Sequence, residues 1–296
     1  MSEKNRYRTT LVKEALRLGV TVLVIELLAY LRQKRHERAH LKADLIAQLA
    51  SRDKEVALAA AESLRQRGWL EDGSLRAAKL IRAHLSGVVF DSADLRGADL
   101  TEAHLRGAVL AWANLYKTRF VEADLAQASL IAANLQEANL TRVRLPGAFL
   151  LGACLQGALL NFANLHGAHL GNTDLRGAQL RAAYLNEAIL EEADLRGADL
   201  QRADLQAAIL RRAKLDGVNL CGAELTGADL TGSTFDEHTT LPDGSPWTPG
   251  IDLARFTDPT RADFWRYTVP HGWAGAVFEH QRKELFASYQ AAAVGN

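Results

Sequence analysis

Three observations in the sequence predict an all-β solenoid: a four-sided β-helix of about 8 coils with α-helical N-terminal and C-terminal extensions. The first is a period of five. From Leu75 to Phe235 every residue whose number is a multiple of five is Leu or Phe, 33 positions without an insertion. The second is the position two residues earlier, which is Ala in 26 of the 33 and otherwise Gly, Val, Thr or Ser. The third is the recurrence of Gly two places after Leu, as at Gly97, Gly157 and Gly197.

A five-residue period fits neither a helix nor a flat strand, whose side chains repeat at 3.6 and 2.0. In extended backbone the Ala and Leu of a unit such as Ala93-Asp94-Leu95-Arg96-Gly97 point to the same side, and the next residues must turn the chain. A type II turn needs φ > 0 at its third residue, and taking Leu as the first turn residue places Gly there. Pro146-Gly147 is then the preferred central pair of such a turn, so Pro146 reads as a corner of the coil. Four corners of about 90° close a coil of about 20 residues, and coils spaced about 4.8 Å apart make a rod roughly 38 Å long. Leu fills the middle, and its partner stays small because a second large side chain would overpack the interior.

With 296 residues, 48% hydrophobic and 24% charged, the chain can build a large core. Net charge is zero, divided as +4 over 1–74, −1 over 75–235 and −3 over 236–296. No part has the clustered positive charge that nucleic-acid binding requires, so direct contact with nucleic acid is not expected.

N-terminal to the repeat, Leu18 to Leu31 is apolar apart from Thr21 and Glu26, and Arg32, Lys34, Arg35 and Arg38 follow. Residues 11–31 therefore read as a membrane-anchoring or membrane-surface helix, or as a soluble helix packed on a partner or on the β domain. The basic flank would mark a cytoplasmic end. Two soluble helices are expected over 36–67. Leu41, Leu45, Ile46 and Leu49 lie on one face of the first. Ser51 or Asp53 caps the second, which places Ala57, Ala60, Ala61 and Leu64 on one face and stops at Arg67-Gly68. Together they are expected to plug the open end of the solenoid.

Sorting the residue before each Leu by its place in the coil gives four outer faces. Three are mostly polar. The fourth carries Val89, Val109, Ser129, Phe149, His169, Ile189, Ile209 and Asp229, widened by Trp112, Ile131 and Leu151. Val89, Val109, Trp112, Ile131, Phe149, Leu151, Ile189 and Ile209 form the candidate interaction face, because an exposed apolar stripe marks a contact surface. It is expected to be covered by terminal helices, by a protein partner or by a second copy of the chain.

The residues offer little chemistry. His166 and His169 fall on different faces, Glu191 and Glu192 face Arg211 and Arg212 one coil on, and Cys154 and Cys221 read as free exposed thiols far apart. No nucleophile grouping or phosphate-binding loop occurs, and no catalytic residue, cofactor or metal is expected. Beyond Phe235 a turn at 241–247 leads to Ile251, Leu253 and Phe256. Phe264, Trp265, Tyr267 and Trp273 follow as aromatic plugs, and a helix is expected over 274–293, either a second cap or a dimerisation helix.

The blocks ADL (93–95, 98–100, 123–125, 193–195) and ANL (113–115, 133–135, 138–140, 163–165) match A-(D/N)-L-x-x, and the chain resembles the pentapeptide-repeat family over 75–235. The stretches RGWLEDGSL at 67–75 and LPDGSPWTP with FTDP at 241–259 are similar to the flanks of larger bacterial members. The resemblance implies a right-handed four-sided β-helix. The expected organisation is a membrane or interfacial helix over 1–35, a helical cap over 36–70, the β-helix over 71–237 and a C-terminal cap with a helix over 238–296. The expected function is a non-enzymatic scaffold for protein interaction, cytoplasmic and tethered at the inner face of the membrane if 11–31 inserts. Some family members protect type II topoisomerase by imitating duplex DNA. That alternative needs a strongly negative rod, which this repeat is not.

Overall fold

A computed structural model describes residues 3–266, with side chains from 22 onward. The coil of the repeat is fixed by its pairing. Parallel bridges join residues 20 apart, beginning Lys79 to Asp99, His84 to His104, Val89 to Val109 and Asp94 to Asn114, and each partner pairs again one coil on. Four bridges per 20 residues make four sides, each too short to be more than one rung wide.

Backbone accounting explains the repeat pattern. In the block Leu100 to His104, Leu100 N–H donates to the Arg119 carbonyl (2.7 Å) and Glu102 N–H to Val121 (2.8 Å), both on the next coil. Ala103 N–H closes the turn on the Leu100 carbonyl (3.0 Å), and His104 N–H reaches back to Ala83 (3.0 Å). Only the N–H of Thr101 lacks a backbone acceptor, and the Asp99 carboxylate takes it at 3.1 Å. The same bond recurs from Thr141 N–H to Asn139, His166 N–H to Asn164 and Gln206 N–H to Asp204. Asp or Asn before Leu thus satisfies the one backbone donor the ladder leaves over. Pro146 occupies this same position and has no N–H, so it removes nothing; the residue that would have capped it is Arg144. The turn there is intact, with Ala148 N–H 3.1 Å from the Leu145 carbonyl.

Every corner has φ > 0 at its third residue, whether or not that residue is Gly. Gly147 has φ 61°, Gly157 65°, and Ala132, Ala182 and Ala207 have φ 54°, 53° and 54°. A Cβ built on Gly157 would make only an ordinary contact with Glu137, at 3.8 Å. Gly157→Ala is therefore expected to cost about 1 kcal/mol from backbone conformation alone, and Gly157→Asn less. Urea denaturation of the two variants measures this.

Inside, the Leu column and its Ala partners are buried from Leu75 to Leu225, with Phe90 and Phe120 accommodated at 0% exposure. Where Thr replaces Ala, its hydroxyl finds a carbonyl: Thr118 on Leu95 (2.8 Å) and Thr173 on Leu170 (2.6 Å).

Both ends are closed. α1 spans Glu3–Leu49 and α2 spans Lys54–Gln66. The separation expected between 11–31 and a helix starting at 36 does not occur. Arg32 to Arg38 contain no Gly, Pro or capping residue to stop a helix, so α1 runs through. Asp53 caps α2, accepting from Glu55 N–H at 2.9 Å and Val56 N–H at 3.3 Å. Leu45, Leu49, Ala57, Ala60, Ala61, Leu64, Trp69 and Leu70 join the solenoid core. The connecting segments also supply acceptors to the first coil, His84 N–H to Ser51 and Asp94 N–H to Leu70, both 2.9 Å.

At the far end the ladder slips by one residue. Asn219 pairs with Thr240, 21 residues on, and Leu241 rather than residue 240 becomes the buried leucine of that side. Thr240 also pairs antiparallel with Pro246, which stops the ladder. Trp247 stacks on Phe235 (6.1 Å), and α3, Ala254–Thr257, buries Phe256 against an edge-on Trp265 (5.9 Å). Tyr267, Trp273 and the helix expected over 274–293 lie outside the described residues.

No helix among the described residues is long and apolar enough to cross a membrane. α1 has the length, but Lys13, Glu14 and Arg17 on one side and Arg32, Lys34 and Arg35 on the other confine its apolar stretch. The spanning form of the 11–31 expectation is therefore set aside.

Candidate functional site

The bridging residue of each side points outward, so pairing stacks one such side chain on the next. The ladder Val89, Val109, Ser129, Phe149, His169, Ile189, Ile209, Asp229 is continuous on one side. Phe149 and His169 stack with ring centroids 4.9 Å apart. The structure brings all eight candidate residues to this side or to the corner that follows it. Trp112 is 68% exposed and Leu151 51%; Val89 and Phe149 are exposed, while Val109, Ile131, Ile189 and Ile209 are half-buried against their neighbours. The described parts of α1 and α2 close the end of the rod and leave this face open. From Val89 to Ile209 the outward ladder contains no carboxylate, ammonium or guanidinium. Its end is marked by Asp229, which binds Arg211.

The neighbouring side is the electrostatic opposite. Its Asp-Leu-Arg-Gly blocks fold each Arg back onto its own Asp: Arg96 on Asp94 (2.8 Å), Arg176 on Asp174 (2.6 Å) and Arg196 on Asp194 (2.6 Å). Asp94, 8% exposed, also receives Arg76 Nε at 2.8 Å. The hydrogen bonds from Arg96 hold its carboxyl at about 2, below the ordinary carboxylate range. Asp174 and Asp194 are lowered by the same Arg contact. A lowered carboxyl stabilises the fold above its unfolded pKa and loses that contribution as pH falls through the folded value. Asp94→Asn keeps an acceptor for Arg96 N–H but drops the charge. It is expected to cost about 1–2 kcal/mol at neutral pH, and the gap to the native chain should close between about pH 4 and pH 2. Thermal melts across that range test it.

Elsewhere several surface charges pair between coils. Arg212 meets Glu191 (2.8 Å) and Glu192 (3.2 Å). Arg82 meets Glu102 (2.7 Å), and Lys117 meets Glu137 (3.2 Å). His166 contacts Asn186 and is separate from His169. Cys154 and Cys221 are free thiols. Among the described residues no group of His, Cys, Asp or Glu is placed to hold a metal ion. Two further exposed apolar residues, Ile81 and Phe162, lie at the opposite corner of the coil; only the sorting of corner residues, not the ladder residues, would have found them.

A chain sharing this repeat is HetL, a pentapeptide repeat protein involved in heterocyst differentiation regulation from the cyanobacterium Nostoc sp. strain PCC 7120. It is 38% identical, covering 58% of this chain and 84% of its own, with a TM-score of 0.32. QnrB1, a plasmid-mediated fluoroquinolone resistance protein, is 22% identical over 51% of this chain and 81% of its own, with a TM-score of 0.44. A pentapeptide repeat protein from the thylakoid lumen of Arabidopsis thaliana is 30% identical over 36% of this chain and 68% of its own, with a TM-score of 0.26. No functionally curated protein matches. The pentapeptide-repeat pattern matches in 8 copies over residues 74–107, 93–130, 123–161, 163–202 and 198–236. This covers more than half of the sequence, and the chain belongs to the pentapeptide-repeat family.

Proposed function

We propose that the protein is a non-catalytic scaffold whose β-helix offers the Val89–Ile209 face to a protein partner or a second copy of the chain. The observation that carries this is the uncharged outward ladder, flanked by Trp112, Ile131 and Leu151, on a rod whose other sides carry charged residues, many of them ion-paired. An apolar strip of that length left in water is unfavourable, and a partner that covers it gains its burial energy. Attachment to a membrane surface by α1 is a second part of the reading. Val22 to Leu31 are exposed and apolar apart from Glu26, and basic residues flank them. A stretch of this length suits an interface better than a span. The charge pattern does not favour topoisomerase protection by DNA imitation, since the repeat nets −1 with Arg and Lys interleaved.

Phe149→Asp with Ile189→Asp is expected to abolish self-association or partner capture while leaving the melting temperature within a few degrees. Light-scattering mass and pull-down from both membrane and soluble fractions measure this. A folded double variant with unchanged mass and unchanged partners would sink the reading.

A further inference from the structure

Over Trp69 the molecule gathers more positive charge than it neutralises. The stripe of α1 that enters the core at Leu49 and Leu45 continues toward the N-terminus as Lys42, Arg38 and Lys34, spaced four apart and so on one face. Lys42, Arg38 and Arg67 all lie against the Trp69 ring, 4.9, 5.3 and 5.7 Å from its centroid. Trp69 is 4% exposed, and its indole N–H is buried with no acceptor among the described residues. A cleft of about 410 Å³ opens here, lined by Lys34, Glu37, Arg38, Leu41, Arg67 and Trp69.

Two of the four cations are matched: Lys34 by Glu37 at 3.2 Å and Lys42 by Asp72 at 2.6 Å. Arg38 and Arg67 have no carboxylate partner among the described residues. Arg67 donates only to the Ser63 carbonyl, at 3.0 Å. A cation over an indole face explains one arginine. It does not explain two guanidinium groups and an ammonium around a single ring, where like charges repel. Such an arrangement is stabilised by an anion between the forks, and a planar guanidinium matches phosphate oxygens two at a time.

We propose that this cleft binds an anionic phosphate group, gripped by Arg38 and Arg67 and favoured by the positive potential of Lys34 and Lys42. The site is independent of the apolar face of the β-helix. Arg38 lies about 10 Å along α1 from Leu31, the end of the exposed apolar stretch. The phosphate can therefore belong to a phospholipid headgroup at a membrane surface or to a soluble phosphate compound.

The test uses the full chain and two probes. One is inorganic pyrophosphate followed by calorimetry; the other is vesicles of phosphatidylcholine with or without phosphatidic acid, followed by flotation. Arg38→Gln with Arg67→Gln is compared with Lys79→Gln and Arg106→Gln, which remove the same charge from exposed positions of the β-helix outside the cleft. The cleft variant is expected to bind about tenfold more weakly, and the control less than about threefold. Arg38→Lys with Arg67→Lys, which keeps charge but loses the forks, should fall between, and it decides the matter if the Gln variant melts abnormally. Pyrophosphate binding identifies a soluble ligand; binding only to phosphatidic acid vesicles identifies a headgroup. If the native chain binds neither probe, or the control loses as much as the cleft variant, the site does not exist.

Discussion

Leu150→Ala is expected to destabilise the protein by about 3 kcal/mol, while Leu151→Ala, one residue on, should cost less than about 0.5 kcal/mol. The two leucines differ only in their place in the coil. Leu150 is fully buried in the column, and Leu151 is 51% exposed at the corner. Truncating Leu150 leaves a cavity bounded by the Leu130 and Leu170 layers, which are held by 2.7 and 2.8 Å ladder bonds and have little freedom to collapse. Because each coil touches only the coils beside it, the damage should be local. Amide exchange should accelerate around residues 130–170 and remain slow near Leu85 and Leu210. Equal costs for the two leucines, or uniform loss of protection along the rod, would contradict a stacked-coil core.

The column and the apolar face were legible because a period of five that never slips fixes which side chains turn in, and numbering modulo one coil then fixes which share a side. The ladder through Val109, Phe149 and Ile189 follows from arithmetic alone. Other features depend on where backbone donors go, and residue identities do not display that. Asp99 and Asn139 read as surface polarity until the N–H of Thr101 and Thr141 is found to have no other acceptor. The positive φ of Ala132 and Ala182 is hidden for a similar reason: Gly signals such a corner, but the ladder imposes it on any residue placed there. The cation cluster over Trp69 was missed because Arg67 and Arg38 are 29 positions apart in sequence and meet only when α1 and α2 pack together. The spacing of Lys34, Arg38 and Lys42 was the available signal. The slip at Thr240 leaves a trace too, since Leu241 stands where the period calls for residue 240.

Deletions separate fold from face more sharply than any substitution. Removing Ala126 to Leu145, one whole coil, should leave a folded, shorter rod, because each remaining bridge still joins equivalent positions 20 apart. Val109 would then pair directly with Phe149, and the apolar stripe would stay continuous. Removing only Ala126 to Leu130 should also fold, since the blocks on either side present the same inward Ala and Leu and the same corner. It would, however, turn the rest of the rod by one side, so that Phe149, Ile189 and Ile209 continue the side of His104 and Asp124. Val89 and Val109 would be left facing Asn134 and Cys154 on the coils beyond. Removing Gln127 alone should destabilise more than the block deletion, because the bridges that span it would join residues 19 apart and the corner after Leu125 would lose its positive-φ third residue. If the scaffold reading is right, the coil deletion keeps partner capture or self-association and the block deletion loses it, although both melt cooperatively. Loss in both would show that the partner reads the length of the rod, and retention in both would move the contact off this face altogether. A midpoint for the Gln127 deletion no lower than that of the block deletion would mean that register across one coil contributes little to holding the solenoid together.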